Sequence, residues 1–310
     1  MTARARTIVI AVVALLALGA TGLVLGASHG PNQAPSPSPS PEPGATATPT
    51  PAPTAGDPLP EPEARLPRGP RTLAADLAAT SARLDGAIDR WRAEGDPSRG
   101  GPPEDVTLLA LRQQRIYREL TDDRALFRRV LARAPRTLRP EIRDNVLARR
   151  ELGLITSVRR GPTPKVRVGP PQPADVLRRH YRAAWRRFQV GPPLLAAVNF
   201  VESAFGKLRN RSISGAQGPM QFIPSTWRAY GLGGDIQDPR DAILGAANYL
   251  HASGAPGDER RALYSYNPSR DYVSAVSRYA RRIRADPRAF YAYYAWQVYA
   301  GGRRLTGPGK

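Results

Sequence analysis

An acidic side chain stands in an otherwise apolar, helix-like segment of this sequence. Glu202 follows Val198–Val201, and the segment ends at Gly206. Apolar neighbours withhold water from a charged carboxylate, and the last turn of a helix presents the negative end of the helix dipole. Both effects raise the pKa of a carboxyl group. We therefore expect Glu202 to hold a proton near neutral pH, as the general acid of a glycosidic-bond cleavage must.

The commoner role for a glutamate near a helix end is a solvated residue paired with a nearby base, here Lys207 or Arg209. The loop that follows favours a ligand site instead. Two glycines, Gly215 and Gly218, permit close backbone approach to a ligand, and Gln221 offers both an amide donor and an acceptor for sugar groups. Pro224 then suits the first turn of the next helix, so the loop is bounded by helices.

Three sequence blocks stand in a fixed order: Glu202–Phe205, Gly215–Pro224 and Ala262–Pro268. Together they resemble the soluble lytic transglycosylase domain, a lysozyme-like family that acts on peptidoglycan. The similarity runs from about Ala174 to Arg284. The resemblance implies a mainly α-helical, lysozyme-like catalytic domain, in an actinobacterial-type membrane-anchored member of the family.

The resemblance also implies roles for individual residues. Glu202 is expected to be the catalytic acid. The expected lining of the substrate cleft is Ser212, Gln221, Tyr266 and Asn267. Tyr266 is further expected to steady either the acid or the acetamido group of the substrate.

This chain departs from the usual family pattern at two places. The third block commonly reads Ala-Tyr-Asn-Ala-Gly, whereas Pro268 and Ser269 follow Asn267 here. We therefore expect a different backbone path after Asn267. Pro219 also precedes Met220 at a place where the family often has a flexible residue, which stiffens the loop.

The mechanism that the resemblance implies needs one carboxyl group. Glu202 protonates the oxygen between N-acetylmuramic acid and N-acetylglucosamine while the muramic N-acetyl carbonyl attacks the anomeric carbon. The ionised Glu202 then removes the proton of the C6 hydroxyl, which closes a 1,6-anhydro ring. The expected reaction is therefore a lyase reaction in which no water is consumed.

Three later acids offer an alternative with a second carboxylate. Asp238–Asp241 has the form of a helix start, with an N-cap, a proline at the first position and an acid at the third. Asp235 has no such assignment, and it is the residue that would turn the enzyme into a goose-type, lysozyme-like hydrolase. A non-catalytic protein that binds or scaffolds the cell wall is the third class, and the intact Glu202 block argues against it.

The N-terminus predicts an export route. Arg4 and Arg6 precede Thr7–Gly26, an uncharged stretch long enough to cross a bilayer as a helix. Leu25–Ala27 also suits a signal-peptide cleavage site, but the length of the apolar stretch favours a retained anchor. We expect an extracytoplasmic protein of the cell envelope, held in the membrane by this helix, or secreted if the helix is cleaved.

Composition divides the rest of the chain into further segments. Residues 1–27 are the predicted anchor, and residues 28–69, rich in Pro, Ser, Ala and Thr, predict a disordered linker. Helical periodicity over residues 70–160 predicts a small accessory module of three or four helices, followed by a second linker at 161–174. The catalytic domain is predicted at 175–285. Residues 286–310 are predicted to contain an aromatic helix that packs on the domain, followed by a tail.

Net charge and residue usage limit the classes of partner and cofactor that this chain can have. The formal net charge is +20, and an outward-facing chain of this charge suits anionic wall polymers and lipid head groups, not nucleic acid. The chain has no cysteine and 3 histidines, which excludes disulfides and metal–thiolate sites and gives no metal-ligand spacing. We expect no metal and no cofactor. The expected partners are peptidoglycan glycan strands and the membrane; partners in wall synthesis or division are not predictable from these patterns.

Overall fold

The computed structural model describes residues 58–157, 166–300 and 302–309. The predicted anchor, Thr7–Gly26, and most of the Pro-rich linker lie outside these residues, as does part of the second linker. Among the described residues, no helix combines the length and the apolar character needed to span a membrane.

The described residues form eleven helices and one short hairpin. The first four helices are α1 (Pro70–Glu94), α2 (Glu104–Asp122), α3 (Arg124–Arg133) and α4 (Arg139–Ser157). The next six are α5 (Ala174–Phe188), α6 (Pro192–Ser203), α7 (Pro224–Tyr230), α8 (Pro239–Ala252), α9 (Glu259–Tyr266) and α10 (Arg270–Ala285). The chain continues into α11 (Arg288–Ala295), β1 (Tyr299–Ala300) and β2 (Arg303–Arg304). The mainly α-helical fold class is therefore confirmed.

The buried face of α1 follows a helical period in the sequence. Its apolar stripe, from Leu73 to Trp91, is buried along its length. Helix α3 begins where Asp123 accepts hydrogen bonds from the amides of Ala125 and Leu126, a capping arrangement that stabilises a helix start by about 1 kcal/mol. Asp238 caps α8 in the same way, as the sequence predicts.

The helices before and after the gap at residues 158–165 share one hydrophobic core. Helix α10 lies along α4 and also along α6, so it is central to the packing. The contact between α4 and α10 carries ion pairs as well: Arg278 binds Glu151 and Asp144, and Arg281 binds Asp144. The helices predicted as an accessory module thus pack directly against the helices that carry the predicted site residues.

The aromatic C-terminal segment is shorter as a helix than the sequence suggests. Helix α11 ends at Ala295, and the chain turns into an extended segment that reaches the hairpin of β1 and β2. Trp296 is 1% exposed, and every residue from Phe290 to Ala300 is buried. The expectation that this segment packs back onto the protein is correct, but its rings fill the core and do not form a helix with aromatic residues around its surface.

Candidate active site

Glu202 lies in the last turn of α6, on a helix that is buried from Leu194 to its end. Gly191 and the two prolines at positions 192 and 193 begin the helix, since proline suits the first turn. Glu202 is 2% exposed. The side chain therefore has the buried environment that the apolar segment predicts.

One oxygen of Glu202 is hydrogen-bonded and the other is not. The hydroxyl of Tyr272 donates to Oε1 at 2.6 Å. Oε2 is buried and has no hydrogen-bond partner among the described residues. Burial raises the pKa of Glu202 to about 8, and the hydrogen bond from Tyr272 opposes this rise. At neutral pH the carboxyl group therefore holds its proton, and Oε2 is the oxygen available to donate it.

The bases that follow Glu202 in the sequence have other partners. Lys207 donates to the main-chain carbonyls of Tyr294 and Trp296. Arg209 donates to the carbonyl of Pro170. The common alternative, a glutamate held in an ion pair with one of these two bases, does not describe Glu202.

A sharp chain reversal ends α6 directly after the acid. Ala204 and Phe205 have φ angles of 51° and 63°, and Gly206 follows at 84°. Left-handed backbone costs about 1–2 kcal/mol for a residue with a Cβ atom, so local contacts must offset it. The hydroxyl of Ser203 accepts a hydrogen bond from the Gly206 amide at 2.8 Å and so closes the turn.

The loop predicted to approach the ligand is fixed to this helix end. Asn199 and Ser203 both donate to the carbonyl of Pro219, at 2.9 Å and 2.5 Å. Gly218 has φ at 77°, and a Cβ atom there would lie 1.9 Å from the carbonyl oxygen of Ile236. A glycine is therefore required at this position, both by its backbone angle and by the adjacent chain.

Two of the predicted cleft residues form hydrogen bonds that shape this loop. Ser212 is 7% exposed, and its hydroxyl accepts from the amide of Ala216 at 2.8 Å. Gln221 is 5% exposed, and its side-chain nitrogen donates to the carbonyls of Gly218 and Asn210. With the nitrogen engaged in this way, the amide oxygen of Gln221 is the atom left to contact a ligand.

Tyr266 holds the loop and does not hold the acid. Its hydroxyl donates to the carbonyl of Met220 at 2.7 Å. Of the two roles expected for Tyr266, a hydrogen bond to Glu202 is not formed, because the phenol that donates to the carboxyl group belongs to Tyr272. The other role, contact with the acetamido group of the substrate, stays a prediction. The charge of Glu202 still contributes to the raised pKa of Tyr266, although burial is the larger cause.

Asn267 supplies a second unsatisfied polar group near the predicted cleft. The residue is 4% exposed, and its side-chain nitrogen has no hydrogen-bond partner among the described residues. A buried amide without a partner costs about 1–3 kcal/mol, so its place in a structure calls for an explanation. A ligand carbonyl or hydroxyl would satisfy it.

The unusual residues after Asn267 start the helix that carries Tyr272. Helix α9 ends at Tyr266, and the hydroxyl of Ser269 caps α10 by accepting from the Tyr272 amide at 3.3 Å. The departure from the family pattern therefore occurs where the chain changes helix. Tyr272 was missed from the sequence; the available signal was a tyrosine in the first turn of an amphipathic helix, whose buried hydroxyl needs a partner.

The three later acids accept local main-chain hydrogen bonds. Asp235 accepts from the Gln237 amide at 2.8 Å, in an exposed turn. Asp238 caps α8, and Asp241 accepts from the Asp235 amide at 3.0 Å. Nothing in these contacts directs a second carboxylate toward Glu202.

Comparison with known proteins finds one family that matches part of the chain. Residues 180–286 match the family model described as the transglycosylase SLT domain. The matched range includes Glu202, Tyr272 and the loop at Gly215–Pro224. No curated protein and no solved structure matches the chain.

Proposed function

Given a transglycosylase SLT domain at residues 180–286, we propose that this protein is a peptidoglycan lytic transglycosylase with Glu202 as its acid and base. The observation that carries the proposal is the state of one side chain. Glu202 is buried, Tyr272 donates to Oε1, and Oε2 has no partner among the described residues. A protonated oxygen without an internal acceptor is suited to donate to a leaving group.

In the first step, Glu202 Oε2 gives its proton to the oxygen that links C1 of N-acetylmuramic acid to the next N-acetylglucosamine. The C1–O bond breaks as the N-acetyl carbonyl oxygen bonds to C1. The side-chain nitrogen of Asn267 supplies a donor for a substrate oxygen, since it has no partner within the described part of the protein. The amide oxygen of Gln221 supplies an acceptor in the same cleft.

In the second step, the ionised Glu202 takes the proton of the C6 hydroxyl. O6 bonds to C1, the bond from the acetamido oxygen to C1 breaks, and a 1,6-anhydro ring results. Glu202 regains its proton, so the cycle needs no water and no second carboxylate. The hydrogen bond from Tyr272 stabilises the ionised form between the two steps.

The membrane anchor belongs to the same proposal. An N-terminal helix would hold the enzyme at the outer surface of the membrane, and the Pro-rich linker would extend the catalytic part toward the wall. The net charge of +20 suits an anionic polymer matrix.

Mass spectrometry of the fragments released from purified peptidoglycan tests the reaction. The segment of residues 58–310 should release muropeptides that are one water lighter than hydrolysis products. Glu202→Gln should lower the rate by on the order of 10²- to 10⁴-fold, because it removes the transferable proton. Asp235→Asn is the matched control and should retain both the rate and the anhydro product.

Each other outcome would contradict one part of the proposed function. Reducing-end products that depend on Asp235 would identify a hydrolase. An unchanged rate for Glu202→Gln would contradict the assignment of the acid. Binding to peptidoglycan without any released fragment, from either form, would identify a wall-binding protein.

A further inference from the structure

Lys207 is a buried amine that no described carboxylate accompanies. The residue is 7% exposed, and its Nζ donates to the carbonyls of Tyr294 at 2.5 Å and Trp296 at 2.7 Å. These carbonyls lie at the C-terminal end of α11, where the helix dipole favours a cation. An ammonium group has three donors, so one remains after these two bonds. Nζ also lies 5.5 Å from the centroid of the Tyr294 ring. Burial lowers the pKa of Lys207 to about 7.

A cavity of about 480 Å³ lies beside this amine. Its lining, apart from Lys207, comes from the turn at Arg99–Pro102, the proline-rich segment at Pro170–Pro173, the stretch from Tyr294 to Gln297, and the single residues Thr107 and Gly307. Its volume falls within the range of small-ligand sites in proteins. The cavity therefore has the size of a binding site, and a buried lysine belongs to its lining.

The charges around the cavity suit an anionic ligand. Two cations line the cavity: Arg99, whose side chain is 87% exposed and pairs with Asp96 at 3.2 Å, and the buried Lys207, which has no acid partner among the described residues. The buried ammonium group has one remaining donor, which suits a carboxylate oxygen. The lining also holds four prolines, at positions 102, 170, 171 and 173, whose rings would offer apolar contacts to a peptide. The volume also exceeds what a single small carboxylate ion would fill.

We propose that this cavity binds the carboxylate end of a short peptide, with the Lys207 ammonium group as its counter-ion. The site is separate from Glu202 in its residues and does not depend on the proposed glycan cleavage. Binding is measured in the absence of peptidoglycan, so failure of one proposal is distinguishable from failure of the other.

A pair of matched ligands tests the role of the charge. Acetyl-Ala-Ala carries the carboxylate, and its C-terminal amide has the same shape without the charge. With the full-length protein, NMR titration should give a millimolar dissociation constant for the acid, in the range of fragment binding, and at least about tenfold weaker binding for the amide. Equal affinity for acid and amide, or no binding of either, would overturn the proposal. So would acetate binding as tightly as the peptide, since that would make the site a simple anion site.

Two variants locate the binding. Lys207→Met removes the charge and should abolish the preference for the acid. A Cβ atom at Gly100 or Gly101 would meet no atom within 4 Å, so the double variant Gly100→Leu/Gly101→Leu should place bulk at the cavity without disturbing the fold. It should weaken acetyl-Ala-Ala by at least about tenfold. Gly86→Leu in α1, away from the cavity, is the control for an added leucine. Binding that survives the double variant unchanged would place the peptide elsewhere and refute the assignment.

Discussion

At Glu202, two opposing effects set the proton affinity of a single carboxyl group. Burial raises its pKa to about 8, and the Tyr272 hydroxyl, at 2.6 Å, favours the ionised form and limits the rise. A group that first gives a proton and then takes one works best with a pKa near the working pH. The balance between burial and Tyr272 therefore matters for both halves of the proposed reaction.

Removing the Tyr272 hydroxyl should shift the pH dependence of the enzyme. Tyr272→Phe takes away the hydrogen bond that lowers the pKa of Glu202, so this pKa should rise. Activity requires the protonated acid in the first step, so the basic limb of the profile of kcat/KM against pH should move to higher pH. A fall in activity without any movement of this limb would contradict the assigned role and indicate a merely structural one.

Glu202 should also make the folded protein less stable as pH rises. Its pKa is about 8 in the folded state against an ordinary value of 4.5, so the folded state holds a proton that the unfolded state has lost between these values. The stabilisation is full below the lower value and is lost as pH rises through the higher one. Glu202→Gln should therefore be more stable than the parent at about pH 9, by on the order of a few kcal/mol, and this advantage should shrink toward about pH 4.

Thermal unfolding of the two proteins across this range measures the difference. Other groups also titrate in the window, including Asp85, whose pKa burial raises to about 7. The difference between parent and variant cancels their contributions. A constant difference across the range would show that Glu202 is not protonated in the folded state at neutral pH.

The sequence was a good guide to Glu202 and a poor one to its partner. The apolar segment before Glu202 is local, and it predicts burial without knowledge of the fold. Tyr272 lies 70 residues away and meets the acid only because α10 packs on α6. No local pattern distinguishes the tyrosine that reaches the carboxyl group from Tyr266, which reaches a main-chain carbonyl instead.

Among the elements, α10 joins the candidate site to the first helices. Its first turn carries Tyr272, and its later turns carry Arg278 and Arg281. Asp144 on α4, 5% exposed, accepts hydrogen bonds from both arginines. The position of Tyr272 therefore depends on a helix that α4 holds from the far side.

Asp144→Asn should destabilise the protein by about 1–3 kcal/mol, because it removes the charge that pairs with two arginines in a largely buried contact. The half-exposed position of Arg281 limits the effect. The surface pair of Asp105 and Arg90 offers the control, and Asp105→Asn should cost at most about 1 kcal/mol. Chemical denaturation measures both. Equal losses in the free energy of unfolding would show that the ion pairs between α4 and α10 contribute no more to stability than a surface pair.

Element boundaries followed local signals where those signals exist. Asp238 and Pro239 begin α8 as predicted, because capping acts within one turn. The end of α11 was not predictable in this way. Trp296, Gln297 and Val298 follow Ala295, and none of these residue types stops a helix. The chain nevertheless leaves the helix to reach the hairpin, and Lys207 binds the carbonyls at that point.

Across the molecule, the first four helices share a hydrophobic core with the helices that carry the candidate site. The side chain of Gln114 donates to the Gln297 carbonyl and accepts from the Gln297 amide, both at 2.8 Å. Tyr293 donates to Asn145, and the ring of Trp91 meets that of Tyr291 edge to face. Helical periodicity showed that these faces are apolar but could not show which faces meet, since that depends on long-range packing.

A segment of residues 166–310 alone should therefore fail to fold as a stable unit. Removal of α1–α4 would expose Trp296 and Tyr293, which are 1% and 2% exposed in the whole structure. Circular dichroism, binding of a hydrophobic dye and muropeptide release measure the outcome, with residues 58–310 as the reference. A cooperative unfolding transition together with full activity in the shorter segment would show that the first helices are dispensable.

The pairing of Gln114 with Gln297 also limits how early in its synthesis the protein can fold. The two residues are 183 positions apart. The core around α2 therefore stays incomplete until the ribosome has added the residues up to Gln297. Helices α1–α4 would meanwhile present apolar faces with no permanent cover, the state in which chains aggregate or engage chaperones. Folding should thus be a late event that follows synthesis of the Phe290–Val298 segment, and a ribosome stalled before that segment should hold a protease-sensitive chain.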